Sequence, residues 1–497
     1  MAAWFFRSAD AWAPFRRCDQ RRLEQSLEGL EGAAPRRAPV PVNGGRGEVD
    51  LQQRLYLDRY ANVSCPVRRS IWYRKNELGI EPYEEAEDAE VESIYQALKA
   101  GDAQASAVVS GDREVRAVKS WIGQIEMRES PCSSPGSWFN DVEVHRGFKV
   151  ESQAGDEEEF LSEEVSHFFI LTHGLGEKLS RKMGGGLAHV ASDLRSGMQQ
   201  SLLLLAGYTK TGTAWEPPED GRPVVRCDVI PLEWWESLHS EDMDARLEDI
   251  TLPSLGMLRD VANCAISDAI FYMQNRGKLL GTIHVKLEEM VARIKQYNPG
   301  FSGGISLVGH SLGGVIFFDL LAAEDLSFRP RALITLGAPT ALFLHCAQVN
   351  LDAGLSLAKS LQFYNIFHPL DPVAYRLEPL LDRSLRQTPP ALIPAAAVGS
   401  EFWRWVGLEE SAAGSPTASP PRLNGGNRID WMLQEESMTS TAGALLQAIP
   451  SHLCYFKSPD VAMFLCMELC QPNARRRRFR KAHRYENSWE VRKVGVA

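Results

Sequence analysis

The stretch Gly309-His310-Ser311-Leu312-Gly313-Gly314 constrains the fold of this chain more than any other. It follows the apolar run 305–308 and precedes the helix-like segment Val315-Ile316-Phe317-Phe318-Asp319-Leu320-Leu321. A serine on a tight strand-to-helix turn needs small neighbours two positions to either side, because a side chain there collides as the backbone doubles back. Gly309 and Gly313 meet that need. Such a turn exposes the Ser311 hydroxyl and puts the Leu312 amide, at the start of the helix, where it can stabilise a developing oxyanion. The pattern predicts a nucleophile elbow.

At 497 residues with 44% hydrophobic content, the chain is long enough for two or more domains and a large core. The net charge of -10 argues against a general nucleic-acid binder, since a phosphate-neutralising surface makes a domain basic. The nine cysteines are scattered, with neither a C-x-x-C pair nor zinc-finger spacing, so a reduced intracellular protein without a metal site is expected. Arg7 and Asp10 interrupt the apolar start before it reaches the length of a signal-peptide core, and no run of about 18 apolar residues predicts a membrane span.

A composition break near residue 155 divides the chain, with Gly155-Asp156-Glu157-Glu158-Glu159 as a charged hinge. Before it, residues 1–155 read as a small α+β region, with a strand over 67–73 and a helix over 91–98 and no visible internal repeat. Beyond it, short apolar segments at 168–172, 224–232, 305–308, 332–336, 363–367 and 429–433 alternate with helical patterns such as 281–297, which predicts a mostly parallel α/β sheet over 156–472. A basic tail fills 473–497.

The other catalytic parts follow by role. Leu171-Thr172-His173-Gly174-Leu175-Gly176 ends an early strand, and the Leu175 amide is the expected second oxyanion donor. Asp371 lies just past the end of the strand 363–367, where an aspartate faces the crevice at the carboxyl edge of a parallel sheet and can orient an imidazole. Asp430 competes for that role, although a strand-face ion pair also explains it. Asp460 competes more weakly, because Ser458-Pro459-Asp460 reads as a helix start. His452 completes the order serine, acid, histidine and is the expected base. His310 is expected to point away from the reacting face, and His368 to shape its loop.

The motifs Gly309-His310-Ser311-Leu312-Gly313, Asn365 through Pro379, Arg428-Ile429-Asp430, and Ser451-His452 through Val461 resemble the DDHD-domain family of intracellular phospholipases A1, whose named positions fall here on Asp371, Asp430, His452 and Asp460. The resemblance covers most of residues 160–470, with the DDHD region at about 355–472. Segments 4–27 and 66–95 are similar to the WWE-like region that precedes the lipase in that family. Gly314 stands where family members often carry serine. The resemblance implies an α/β-hydrolase-like fold and cofactor-free hydrolysis of a glycerophospholipid acyl ester, with a preference for the sn-1 chain and often for phosphatidic acid. It also implies a cytoplasmic protein bound peripherally to membranes. Phe402-Trp403-Arg404-Trp405-Val406 and the basic run 475–481 are candidate contacts for an anionic membrane. A neutral-lipid or acyl-thioester hydrolase needs the same triad, and a non-catalytic lipid-binding scaffold remains a different class of answer.

Overall fold

The computed structural model describes residues 2–8, 11–29, 38–61, 63–76, 79–100, 106–110, 113–119, 125–131, 142–148, 160–174, 186–211, 214–219, 221, 224–234, 256–323, 326–348, 361–396, 424, 427–434 and 450–470. The chain divides into two compact units, Met1–Glu163 with Lys210–Glu216, and Glu164–Thr209 with Pro217–Ala497. Among the described residues no helix is long and apolar enough to cross a membrane.

The N-terminal unit is a twelve-stranded sheet in which neighbouring strands run antiparallel. It contains an internal repeat that is not visible in the sequence. The Trp4 indole donates to Glu24 at 2.7 Å and the Trp72 indole to Glu92 at 2.8 Å. The Trp4 amide donates to Gln20 at 2.6 Å and the Trp72 amide to Asp88 at 2.7 Å. Phe15 and Tyr83 return their amides to the carbonyls of Trp4 and Trp72. An arginine closes each glutamate, Arg69 on Glu24 and Arg146 on Glu92. The tryptophan, Gln20/Asp88, Phe15/Tyr83 and glutamate positions recur at a constant offset of 68, while the arginines stand 77 apart, so the unit is a duplicated strand–helix module closed each time by an arginine from a different place. Identical geometry is built from dissimilar residues, Gln20 against Asp88 and Phe15 against Tyr83, and this is why the repeat does not show in the sequence. The strand expected over 67–73 is two strands, Val63–Ser70 and Trp72–Asn76, broken where the Ile71 and Trp72 amides turn to the Asp88 carboxylate.

The C-terminal unit is mixed α/β. We label its strands β1 (Leu161–His173), β2 (Val224–Pro231), β3 (Gly304–His310), β4 (Ala332–Leu336), β5 (Gln362–Phe367), β6 (Ala391–Leu392) and β7 (Asp430–Met432). Their order in the sheet is β2-β1-β3-β4-β5-β7-β6. From β1 to β6 the pairings are parallel. The central strands are buried almost throughout, as expected for a parallel sheet covered on both faces. Flanking helices are α1 (Gly186–Leu205), α2 (Gly256–Tyr297), α3 (Leu312–Ala323), α4 (Thr340–Cys346) and α5 (Pro459–Leu465). Helix α2 begins well before the expected residue 281. Gly277 and Gly281 face open space, where an added Cβ would meet nothing within 4 Å, so neither ends it.

The register fixes where chemistry can sit. His173 lies opposite His310, His310 opposite Leu336, and Leu336 opposite Ile366. The strands therefore end together, and Gly174, Ser311, Gly337 and the loop after Phe367 emerge at one edge of the sheet.

Candidate active site

Ser311 has a φ of 54°, a left-handed conformation that a residue with a Cβ adopts at a cost of order 1–3 kcal/mol. The surroundings hold it there. The Ser311 amide donates to the Leu336 carbonyl and the Gly314 amide to the Ser311 carbonyl, both at 3.0 Å. A Cβ at Gly309 would lie 2.5 Å from the Gly313 carbonyl oxygen, and one at Gly313 would lie 2.8 Å from the Thr172 carbonyl oxygen. Gly314 is as tight, since a Cβ there would approach that of Ala338 to 2.6 Å. Leu312 opens α3, so its amide is one of the first-turn donors without an intrahelical acceptor. The Gly174 backbone presses against it, with an added Cβ only 2.4 Å from the Leu312 nitrogen. Leu175, the other expected oxyanion donor, lies outside the described residues.

Asp371 and His452, 81 positions apart, meet at this edge. His452 Nδ1 is 3.0 Å from each Asp371 carboxylate oxygen. A carboxylate only accepts, so Nδ1 carries a proton toward Asp371 and Nε2 is the ring nitrogen left facing away from it. Nε2 is buried and has no hydrogen-bond partner among the described residues. Burial pushes the Asp371 carboxyl upward, but the bonds from His452, Tyr455 and the Val373 amide outweigh it and hold the group below the usual range. No hydrogen bond joins Ser311 to His452 here, and such catalytic contacts are often long until substrate binds.

Two supporting residues were missed in the sequence. The Tyr455 hydroxyl donates to Asp371 Oδ2 at 2.6 Å and accepts from the His368 amide at 2.9 Å. Burial and the adjacent Asp371 charge raise its phenol far above the ordinary value, so it stays a donor. Gly337, at φ 57°, leaves room for this contact, because a Cβ would come within 2.4 Å of Asp371 Oδ2. His310 does not simply point away. Its Nε2 donates to the His452 carbonyl at 2.7 Å, and its ring lies 4.7 Å from that of His452. Burial, reinforced by His452, lowers the His310 pKa to about 3, so a neutral ring lies behind His452.

The remaining family positions lie elsewhere. Asp430 accepts from Asn365 at 2.9 Å and from the Leu377 and Glu378 amides at 2.9 and 3.1 Å, with Arg376 at 3.4 Å. Burial and neighbouring Glu378 raise its pKa to about 6. Glu378 in turn takes Arg428, at 2.8 Å, and the Ile429 amide. This buried knot fixes the segment that follows Asp371. Asp460 is more than a first-turn charge on α5. Ser458 caps the helix through the Val461 amide, while Asp460 accepts from the distant Ala396 amide at 2.5 Å. The aromatic cluster 402–406 and the basic run 475–481 lie outside the described residues.

Against known proteins, the model of the DDHD domain matches residues 326–405 and 408–470. The chain is 22% identical to the triacylglycerol hydrolase DDHD2 of Mus musculus over 94% of this chain and 92% of that protein. It is 24% identical to the intracellular phospholipase A1 of Caenorhabditis elegans over 51% of this chain and 35% of that protein. It is also similar to the human SEC23-interacting protein, at 26% identity over 63% of this chain and 31% of that protein.

Proposed function

We propose that this chain, which carries a DDHD domain and has named lipid-ester hydrolases as relatives, is an α/β-hydrolase-type serine lipase with Ser311, His452 and Asp371 as nucleophile, base and orienting acid. The observation that carries the reading is His452, held by Asp371 through Nδ1 and offering a buried, unpartnered Nε2 beside a strained serine elbow. In the first half-reaction Nε2 takes the Ser311 proton as Oγ attacks the ester carbonyl. The oxyanion forms against the Leu312 amide and, as second donor, Leu175. The imidazolium then gives its proton to the leaving alkoxide, and water releases the acyl group by the same steps in reverse. No step requires a metal or cofactor.

The substrate we assign is a glycerophospholipid, cleaved at the sn-1 ester as in phospholipase A1, with phosphatidic acid the preferred headgroup class. The N-terminal unit, a WWE-like region in this reading, and peripheral contact with anionic membrane through 402–406 and 475–481 complete the picture of a cytoplasmic membrane-surface enzyme. The similarity to a triacylglycerol hydrolase favours neutral lipid as the second substrate class, and the similarity to a SEC23-interacting protein supports the scaffold alternative. Wild-type turnover of phospholipid against triacylglycerol separates the two substrate classes, and Ser311→Ala tests the serine mechanism that both share. It is expected to abolish fluorophosphonate labelling and hydrolysis of both phospholipid and triacylglycerol while leaving the melting temperature nearly unchanged. Hydrolysis that survives this substitution overturns the serine mechanism. A wild-type protein that binds vesicles but hydrolyses neither lipid is a scaffold.

A further inference from the structure

Away from the catalytic edge, three thiols meet inside the C-terminal unit. Cys227 lies on β2, the terminal strand of the sheet, and Cys466 and Cys470 lie on the π-helical turn that continues α5. All three are buried, and their sulfur atoms lie within 4.8 Å of one another. Sulfurs gathered round a zinc ion at about 2.3 Å each stand about 4 Å apart, so the cluster needs a contraction of less than about 1 Å to bind one. Cys466 Sγ is also 3.3 Å from the Met198 carbonyl, which brings α1 to the same point. The thiols offer only soft donors.

We propose that Cys227, Cys466 and Cys470 form a thiolate site for a soft d10 metal ion, zinc or copper(I), which clamps the last helix to the terminal strand of the sheet. Each ligating sulfur loses its proton to the solvent as its bond to the metal forms, and the Cys466 bond to Met198 is exchanged for a metal bond. Serine-hydrolase chemistry needs nothing from this ion. Its role is structural, since α5 and its π-turn follow directly on the segment bearing His452.

Elemental analysis of the full chain, purified anaerobically without chelator, is expected to find about one zinc or copper ion per molecule, and the element found separates the two sources. Cobalt(II) added to metal-stripped protein is expected to produce a near-ultraviolet thiolate charge-transfer band. Cys470→Ser is expected to lower bound metal at least about tenfold, while Cys346→Ser, at an exposed cysteine, leaves it unchanged. The cobalt titration needs no variant, so a Cys470→Ser protein that fails to fold does not shield the proposal. Wild-type protein with neither metal nor cobalt band, undiminished metal in a folded Cys470→Ser variant, or an intact mass short of two hydrogens from a disulfide among these cysteines overturns it.

Discussion

The two units solve the placement of polar groups in opposite ways. In the N-terminal unit each module closes on itself, with Trp4 reaching Glu24 and Trp72 reaching Glu92 across 20 residues, and the solution is used twice. In the C-terminal unit the decisive contacts span 81 positions from Asp371 to His452 and 142 from His310 to His452, and each occurs once. Local, repeated closure gives a framework that tolerates substitution. Long-range closure at the end of a rigid parallel sheet gives one geometry, and changes there act on chemistry before they act on folding.

The largest contrast is therefore expected between matched carboxylate-to-amide changes. Asp371→Asn removes the acceptor that fixes the His452 tautomer, and turnover of a short-chain ester is expected to fall about 10⁴-fold with little change in melting temperature. Glu92→Gln, chemically the same change in the other unit, is expected to leave turnover untouched. A steady-state assay on both proteins checks this, and comparable losses would erase the distinction between the units.

Next in size are the supports of the site. Tyr455→Phe removes a hydrogen bond to a charged carboxylate, worth about 1.5–3 kcal/mol, and is expected to lower kcat more than it raises KM. Gly314→Ala forces a methyl group against Ala338 and is expected to cost about 1–3 kcal/mol of stability, read as a lower urea midpoint. A Gly314→Ala protein as stable as the parent would mean that α3 can shift away from β4.

These supports mark the limit of what the sequence discloses. The elbow was legible because its glycine spacing is a local steric rule, and Asp371 was legible because it follows a strand end. The contacts of Tyr455 and His310 were not, since their partners lie 84 and 142 positions away, and a place inside the elbow does not disclose the bond from His310 to the His452 carbonyl. Cys227 stands 239 positions from Cys466 for the same reason, so cysteine spacing offers no sign of the cluster. The N-terminal repeat was hidden differently, because its geometry is retained while its residue types change.

Acid should separate the units by pH. The folded pKa of His310 is depressed from 6.5 to about 3, so its contribution is fully present above about 6.5 and drains away as pH falls toward 3. His173, lowered by burial to about 4, adds to the same trend. Glu92 is lowered from 4.5 to about 2, mainly by its bond from Arg146, so its contribution persists down to about 4.5 and is lost only below that. Hydrogen exchange read by mass spectrometry across this range is expected to show the C-terminal unit loosening first. Simultaneous loosening would mean that other groups govern acid stability.

The smallest expected effect tests the duplication itself. Glu24 and Glu92 each join an indole to an arginine, and both carboxyls are held below their ordinary value chiefly by that arginine. Because both pairs are partly open to water, screening limits each ion pair to about 0.2–1 kcal/mol. Glu24→Gln and Glu92→Gln should therefore destabilise by similar small amounts. The two constellations share no residue, so the double variant should lose the sum to within about 0.5 kcal/mol. Chemical denaturation followed by tryptophan fluorescence measures all three proteins. Equal and additive losses fit two copies of one self-contained module, whereas a large non-additive term would mean that the copies have fused into one cooperative network, and the contrast with the C-terminal unit would fail.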